Sequence, residues 1–80
     1  MMPVQIEQLR SIFKESLELE DGVIVDMMEY NTRKWDSVAH MALVAAIEDG
    51  FSIMLETDDV LDMSSFSKAV EILDKYVQPA

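Results

Sequence analysis

Apolar residues recur three and four positions apart in two long stretches of this chain, a spacing that lays one hydrophobic stripe along an α-helix. The first stretch runs from Pro3 to about Leu17, and the second from Ser64 or Ser65, either of which can cap a helix, to about Val77. Both stretches are therefore predicted to be helices. Their stripes consist of Ile6, Leu9, Phe13 and Leu17, and of Phe66, Ala69, Val70, Leu73 and Val77.

A third helix is predicted in the middle of the chain, from Ser37 to about Asp49. Asp36 occupies its N-cap position and Gly50 is a natural stop. This helix is the most apolar of the three, and a short helical turn should follow it from Thr57. The apolar residues of the middle helix are Val38, Met41, Leu43, Val44 and Ile47. The methionines expected in or near the core are Met41, Met54 and Met63.

The connection from about Leu19 to Trp35 is long for a compact domain, so it should pack on the core or carry function. Its segment 23–25 could be a strand but has no partner strand, and Trp35 is expected to anchor the loop by packing.

Eighty residues can bury one modest core. The prediction is one all-α domain over residues 1–80, ordered from about 3 to 77. It is a small bundle of three main helices and one short helix, with Pro79 and Ala80 as a loose tail.

The charge is strongly acidic and unevenly distributed. The net charge is −10, and the segment from Glu15 to Asp62 holds thirteen acids but only two bases. Such a segment repels a nucleic-acid backbone and attracts basic protein surfaces. Glu71 and Lys75 are predicted to pair on the last helix. The chain has no cysteine, which fits a reducing cytoplasm, and no apolar run that could cross a membrane. We therefore expect a cytoplasmic protein that does not bind a membrane. From its charge we expect no binding to nucleic acid, and we expect a monomer.

The sequence Trp35-Asp36-Ser37-Val38 places a serine in the first turn of a helix, directly after a long loop. A hydroxyl there lies near the surface, within reach of another enzyme. A phosphate ester on its oxygen would lie beside free backbone amides and the positive end of the helix dipole. By itself this pattern is weak, because a serine near a helix start more often acts as a cap.

The run from Trp35 to Leu73 resembles the acyl carrier protein family, and a weaker resemblance extends over about residues 9–77. In that family an Asp-Ser-Leu motif opens the second helix. A hydrophobic helix ending in acids and a Phe follows, then a loop, a short acidic helical turn and an amphipathic last helix. The matching residues here are Asp36, Ser37, Val38, Leu43, Ile47, Glu48, Asp49, Phe51, Asp58, Asp59 and Val60.

The resemblance implies that Ser37, flanked by Asp36, receives 4′-phosphopantetheine from coenzyme A through a separate phosphopantetheinyl transferase. The thiol of that arm would carry an acyl or aminoacyl group as a thioester, and the chain itself would catalyse nothing. Ala39 and Ala42 stand where fatty-acid carriers often have acids, which favours a specialised biosynthetic pathway. The residues expected to dock acyl-transferring or acyl-modifying enzymes are Val38, Met41, Glu48, Asp49, Glu56, Asp58 and Asp59.

Two other functions fit the residues less well. One is an unmodified acidic adaptor that binds a basic or apolar partner, with Ser37 only capping a helix. The other is a hydrolase that uses Asp36, Ser37 and His40, but these lie within one helical turn, where their side chains diverge. His40 is therefore predicted to be a surface residue near the docking face. No metal site is expected, because Asp58, Asp59 and Asp62 lack the spacing of a calcium loop.

Overall fold

The computed structural model describes residues 3–32 and 34–77, and that part of the chain contains four α-helices. They are α1 (Pro3–Ser16), α2 (Ser37–Phe51), α3 (Thr57–Asp62) and α4 (Phe66–Asp74), with a 3₁₀ turn at Val25–Met27 in the first loop. The all-α class, with three main helices, one short helix and a long first loop, is confirmed. The prediction of a loose tail at Pro79 and Ala80 falls outside the described residues.

The starts of α2 and α4 are fixed by the side chains predicted to cap them. A carboxylate oxygen of Asp36 accepts a hydrogen bond from the Ala39 amide at 2.8 Å, and the Ser65 hydroxyl accepts one from the Lys68 amide at 3.0 Å. Each cap satisfies an amide that has no partner within its own helix. The point at which α2 begins, and with it the placement of Ser37, is therefore set locally.

The core is centred on Phe13 of α1. Its ring meets the rings of Trp35 and Phe66 edge to face, with centroids 5.1 Å away in both cases. Such contacts add to the stability gained by burying the rings. The predicted role of Trp35 as a packing anchor is confirmed, because it is completely buried. The other buried apolar residues are Leu9, Leu17, Val25, Met28, Leu43, Val44, Ile47, Leu55, Met63, Ala69, Ile72 and Leu73.

The first loop packs on this core, which is one of the two outcomes that its length predicted. Val25 and Met28 are buried, and the loop is tied to the start of α4 by backbone hydrogen bonds. Tyr30 donates to the Ser64 carbonyl at 2.8 Å, and Phe66 donates to the Met28 carbonyl at 3.1 Å. Residues 23–25 form no strand, and a 3₁₀ turn begins at Val25.

An ion pair joins this loop to α1. The guanidinium of Arg10 donates two hydrogen bonds, at 2.7 and 2.8 Å, to the two carboxylate oxygens of Asp26. These hydrogen bonds hold the pKa of the Asp26 carboxyl below its usual value. Because both side chains remain partly exposed, the pair contributes modestly to stability and mainly fixes the 3₁₀ turn against α1.

The prediction that α2 stops at Gly50 is wrong. The helix continues to Phe51, and Ser52 takes the left-handed conformation, with φ of 55°, and donates its amide to the Glu48 carbonyl. Gly50 instead packs against side chains of α1. A Cβ on it would lie 2.8 Å from the end of the Ile12 side chain, and Gln8 donates to its carbonyl at 2.7 Å.

Helix α3 begins at Thr57, as predicted, and Glu56 takes its N-cap position without a side-chain cap. Two local details near the end of α4 differ from expectation. Helix α4 ends at Asp74, three residues before Val77. Lys75 hydrogen-bonds to Asp59 at 2.7 Å and not to Glu71, because Lys75 follows the end of the helix and faces α3.

Candidate functional site

Ser37 is the first residue of α2 and is exposed to solvent. Its neighbour Asp36 accepts two hydrogen bonds from amides of the first turn of α2. Its carboxylate accepts one from the Ala39 amide, and its backbone carbonyl accepts one from the His40 amide at 2.8 Å. The amides of Ser37 and Val38 precede these and have no acceptor within the helix. An anionic group on the Ser37 oxygen would lie close to both amides.

The backbone just before Ser37 is held firmly. Asn31 donates its amide to the Trp35 carbonyl at 2.7 Å, and Trp35 donates its amide to the Thr32 carbonyl at 3.0 Å. Asn31 takes a positive φ of 66°, which asparagine tolerates in tight turns. Because the Trp35 ring is also buried in the core, the exposed hydroxyl of Ser37 is attached to a fixed support.

His40 is not the surface residue that we expected. Only 8% of it is exposed, and both ring nitrogens have partners. The indole nitrogen of Trp35 donates to Nδ1 at 2.8 Å, and Nε2 lies 2.9 Å from the Val60 carbonyl of α3. An indole can only donate and a carbonyl can only accept, so His40 is the tautomer with its hydrogen on Nε2.

This arrangement argues against the hydrolase interpretation of Asp36, Ser37 and His40. A general base needs a free nitrogen lone pair within reach of the nucleophile. The lone pair of Nδ1 is engaged by Trp35, and Nε2 carries the hydrogen donated to Val60. Neither nitrogen is available to take a proton from Ser37 in this structure.

The burial of His40 could have been predicted from its position. Residues 40, 43, 44 and 47 have the spacing of one helix face, and all four are buried. Met41 lies one position off this stripe and is 62% exposed, and Met54 in the following loop is 84% exposed. The prediction of core positions is therefore correct for Met63 and wrong for Met41 and Met54.

The outer face of α2 is apolar next to Ser37. Val38 is 79% exposed, and it shares this face with Met41, Ala42 and Ala45, which are also exposed. Exposed apolar side chains grouped on one helix face are typical of a surface that contacts other molecules. We call this surface the Val38 face, and two of the predicted docking residues, Val38 and Met41, lie on it.

The acids predicted to dock partners are not equivalent. Asp49, Glu56 and Asp58 are exposed, but Glu48 accepts a hydrogen bond from the Leu55 amide at 2.8 Å, and the Asp59 side chain is only 14% exposed. Glu48 and Asp49 also lie at the far end of α2, roughly 17 Å along the axis from Ser37. The docking role of all these acids stays a prediction.

Asp59 belongs to a polar cluster that joins α3 to the residues after α4. Lys75 donates to one carboxylate oxygen at 2.7 Å, and the Tyr76 hydroxyl donates to the other while accepting from the Glu56 amide at 3.1 Å. The bond from Lys75, and then the bond from Tyr76, lowers the pKa of Asp59 below its usual value. The same contacts raise the pKa of Lys75 and of Tyr76.

The cluster predicts a pH dependence of stability. A carboxyl with a lowered pKa stabilises the fold above its unfolded pKa of about 3.9, and this contribution is lost as the pH falls through the folded value. We expect Asp59→Asn to melt below the wild type at pH about 7, with the difference narrowing toward pH about 3. Thermal melts followed by circular dichroism check this.

Asp58→Asn is the matched control, because Asp58 is exposed one residue away and should give a small difference at both pH values. An Asp59→Asn difference that stayed constant across the pH range would contradict the assigned role of the ionised carboxylate.

A hollow of about 210 Å³ opens between the first loop, α2 and α3, one helical turn from Ser37. Apolar side chains therefore do not fill all of the boundary between α2 and α3. The hollow is lined by Tyr30, His40, Val60, Leu61, Met63 and Ser64.

Within residues 3–32 and 34–77, no group of three or more histidine or acidic side chains is arranged to bind a metal ion. Over the same residues, every helix is too short or too polar to span a lipid bilayer.

Comparison with known proteins adds no assignment to this geometry. No family model matches the chain, and neither a curated protein nor a solved structure matches it.

Proposed function

We propose that this protein is an acyl carrier protein that bears 4′-phosphopantetheine on Ser37. The observation that supports this most directly is the exposed hydroxyl in the first turn of α2, held in place by the Asp36 cap and the buried Trp35. A carrier needs its attachment point to be reachable by another enzyme and fixed in position. Ser37 has both properties.

The surroundings of Ser37 are compatible with a phosphodiester. The Ser37 side chain is exposed to solvent, so another enzyme can reach its oxygen. The amides of Ser37 and Val38 can face one phosphate oxygen, and the helix dipole favours negative charge at this end. Asp36 is already committed to the Ala39 amide.

Attachment would join the Ser37 oxygen to the phosphorus that bears the pantetheine arm of coenzyme A. The bond from that phosphorus to the other phosphate of the diphosphate breaks, and adenosine 3′,5′-bisphosphate leaves. The serine proton passes to the transferase, which also supplies magnesium. The attached arm provides a thiol for a thioester, while this chain binds partner enzymes and holds the attachment point still.

The Val38 face would contact those partners. Its apolar side chains suit partners with an apolar contact surface, and the acids Asp49, Glu56 and Asp58 attract basic residues at longer range. With alanines at 39 and 42, charge is sparse beside Ser37, which favours dedicated enzymes of a specialised biosynthetic pathway. Coenzyme A and its transferases are cytoplasmic, so such a carrier would act in the cytoplasm. The lack of cysteine fits that reducing compartment.

A second candidate function is an unmodified acidic adaptor. The same exposed Val38 and Met41 favour it, because an apolar helix face can bind a partner with no modification of Ser37. The two functions differ in whether Ser37 changes chemically.

Intact-mass spectrometry after incubation with coenzyme A, magnesium and a phosphopantetheinyl transferase of broad specificity tests the proposal. We expect the wild-type protein to gain the mass of one 4′-phosphopantetheine. A parallel reaction without coenzyme A should show no gain. An unchanged mass, with an established carrier fully modified under the same conditions, would favour the adaptor.

A further inference from the structure

Helix α3 is held by apolar and polar contacts together. Val60 is half-buried against the core, and Leu55 and Met63, which flank the helix, are buried. On one side the Val60 carbonyl lies 2.9 Å from His40 Nε2, and on the other side Asp59 bonds to Lys75 and Tyr76. These hydrogen bonds add direction to the apolar packing, and among the described residues His40 of α2 contributes the bond to the Val60 carbonyl.

In the sequence, Ser37 lies between two residues that take part in these hydrogen bonds. Trp35, two residues before it, donates to His40 at 2.8 Å, and His40, three residues after it, donates to Val60. The buried indole fixes the imidazole, and the imidazole fixes the backbone of α3. One side chain with two directional bonds thus links the Ser37 turn to α3.

We propose that His40 is a positioning residue for modification of Ser37. By holding α3 against the first turn of α2, it fixes the surface that the phosphopantetheinyl transferase must recognise, and it does not touch the reacting atoms. This inference rests on the proposed carrier function and adds a role for a residue outside the attachment motif.

The expected consequence is a change in binding. When α3 is released, only a fraction of molecules present the recognised surface, and the apparent affinity of the transferase falls by that fraction. The chemical step at Ser37 is unaffected once the complex has formed. Loss of the bond should therefore raise KM for the carrier and leave kcat nearly unchanged.

Three substitutions separate the two bonds of His40. His40→Gln places an amide NH₂ near the position of Nε2 and can still donate to Val60. His40→Asn places an amide oxygen near the position of Nδ1 and can accept from Trp35, but it is too short to reach Val60. His40→Leu removes both bonds while keeping an apolar side chain at a buried position.

Steady-state kinetics of phosphopantetheine transfer to each folded variant test the proposal. For His40→Leu and His40→Asn we expect KM to rise about tenfold, with kcat within about twofold of the wild type. His40→Gln should restore most of the loss. Amide hydrogen exchange of Val60 and its neighbours in α3 should accelerate in the same two variants and not in His40→Gln.

Arg10→Gln is the control for the loss of a hydrogen-bonded contact elsewhere in the fold, because it breaks the pair between α1 and the 3₁₀ turn. It should leave KM unchanged. An unchanged KM in His40→Leu, or an equal rise in Arg10→Gln, would overturn the role of His40. If the wild type accepted no phosphopantetheine, the carrier function would fail instead, and hydrogen exchange would still report whether His40 holds α3.

Discussion

Replacement of Ser37 by alanine should abolish phosphopantetheine attachment completely and leave the fold intact. The substitution removes the oxygen that forms the new bond, so no residual rate is expected. The helix start is preserved, because the side-chain cap comes from Asp36. We therefore expect the free energy of unfolding to change by less than about 0.5 kcal/mol. Intact mass after reaction with coenzyme A and the transferase measures attachment, and urea unfolding measures stability.

Ser67→Ala is the matched control for this experiment. Ser67 is also an exposed serine in the first turn of a helix, since it is the second residue of α4. Its replacement should leave attachment at the wild-type level. Attachment that persisted in Ser37→Ala would show that the arm is carried elsewhere and would remove the basis of the proposed function.

Replacement of Trp35 by alanine should cause the largest loss of stability. Trp35 is completely buried, packs edge to face on Phe13 and donates to His40. Truncating a buried aromatic side chain to alanine costs about 3–5 kcal/mol. A domain of this size has a stability of roughly 4–12 kcal/mol, so the variant should be partly or wholly unfolded. Urea unfolding followed by far-ultraviolet circular dichroism measures the change.

Two further variants make this prediction specific. Trp35→Phe keeps an aromatic ring but leaves His40 Nδ1 without its donor, so we expect an intermediate loss of about 1–3 kcal/mol. Met54→Ala, at a position that is 84% exposed, should change stability by less than about 0.5 kcal/mol. A Trp35→Ala variant as stable as Met54→Ala would contradict the placement of the indole in the core.

Much of the fold could be predicted because the decisive signals are local. The stripe through Leu9 and Phe13 specified the buried face of α1, and Asp36 and Ser65 specified where α2 and α4 begin. Periodicity and capping depend only on residues a few positions apart.

Other features depended on contacts between distant segments. Lys75 donates to Asp59, which is sixteen residues away in the sequence, and not to Glu71, which is only four residues away. Gly50 packs against the Ile12 side chain of α1, which no pattern near residue 50 reveals. These contacts arise from packing, so local spacing could not predict them.

His40 and Met41 show a different limit. Their residue types suggested a polar surface residue and a core methionine, while their positions on the helix predicted the reverse. A buried histidine is stable here because both ring nitrogens find partners, one of them on α3. For the candidate site, the sequence predicted Ser37 and its cap, but not the histidine that ties this turn to α3.

Tandem mass spectrometry of the modified wild-type protein tests the central claim most directly, because it locates the added group on the chain. We expect every fragment that gains the mass of one 4′-phosphopantetheine to contain Ser37. Elimination of the arm in the gas phase should leave those fragments one water lighter than the unmodified fragments, because the serine oxygen leaves with the phosphate. A group located on any other residue, or a protein that stays unmodified beside a fully modified control carrier, would contradict it.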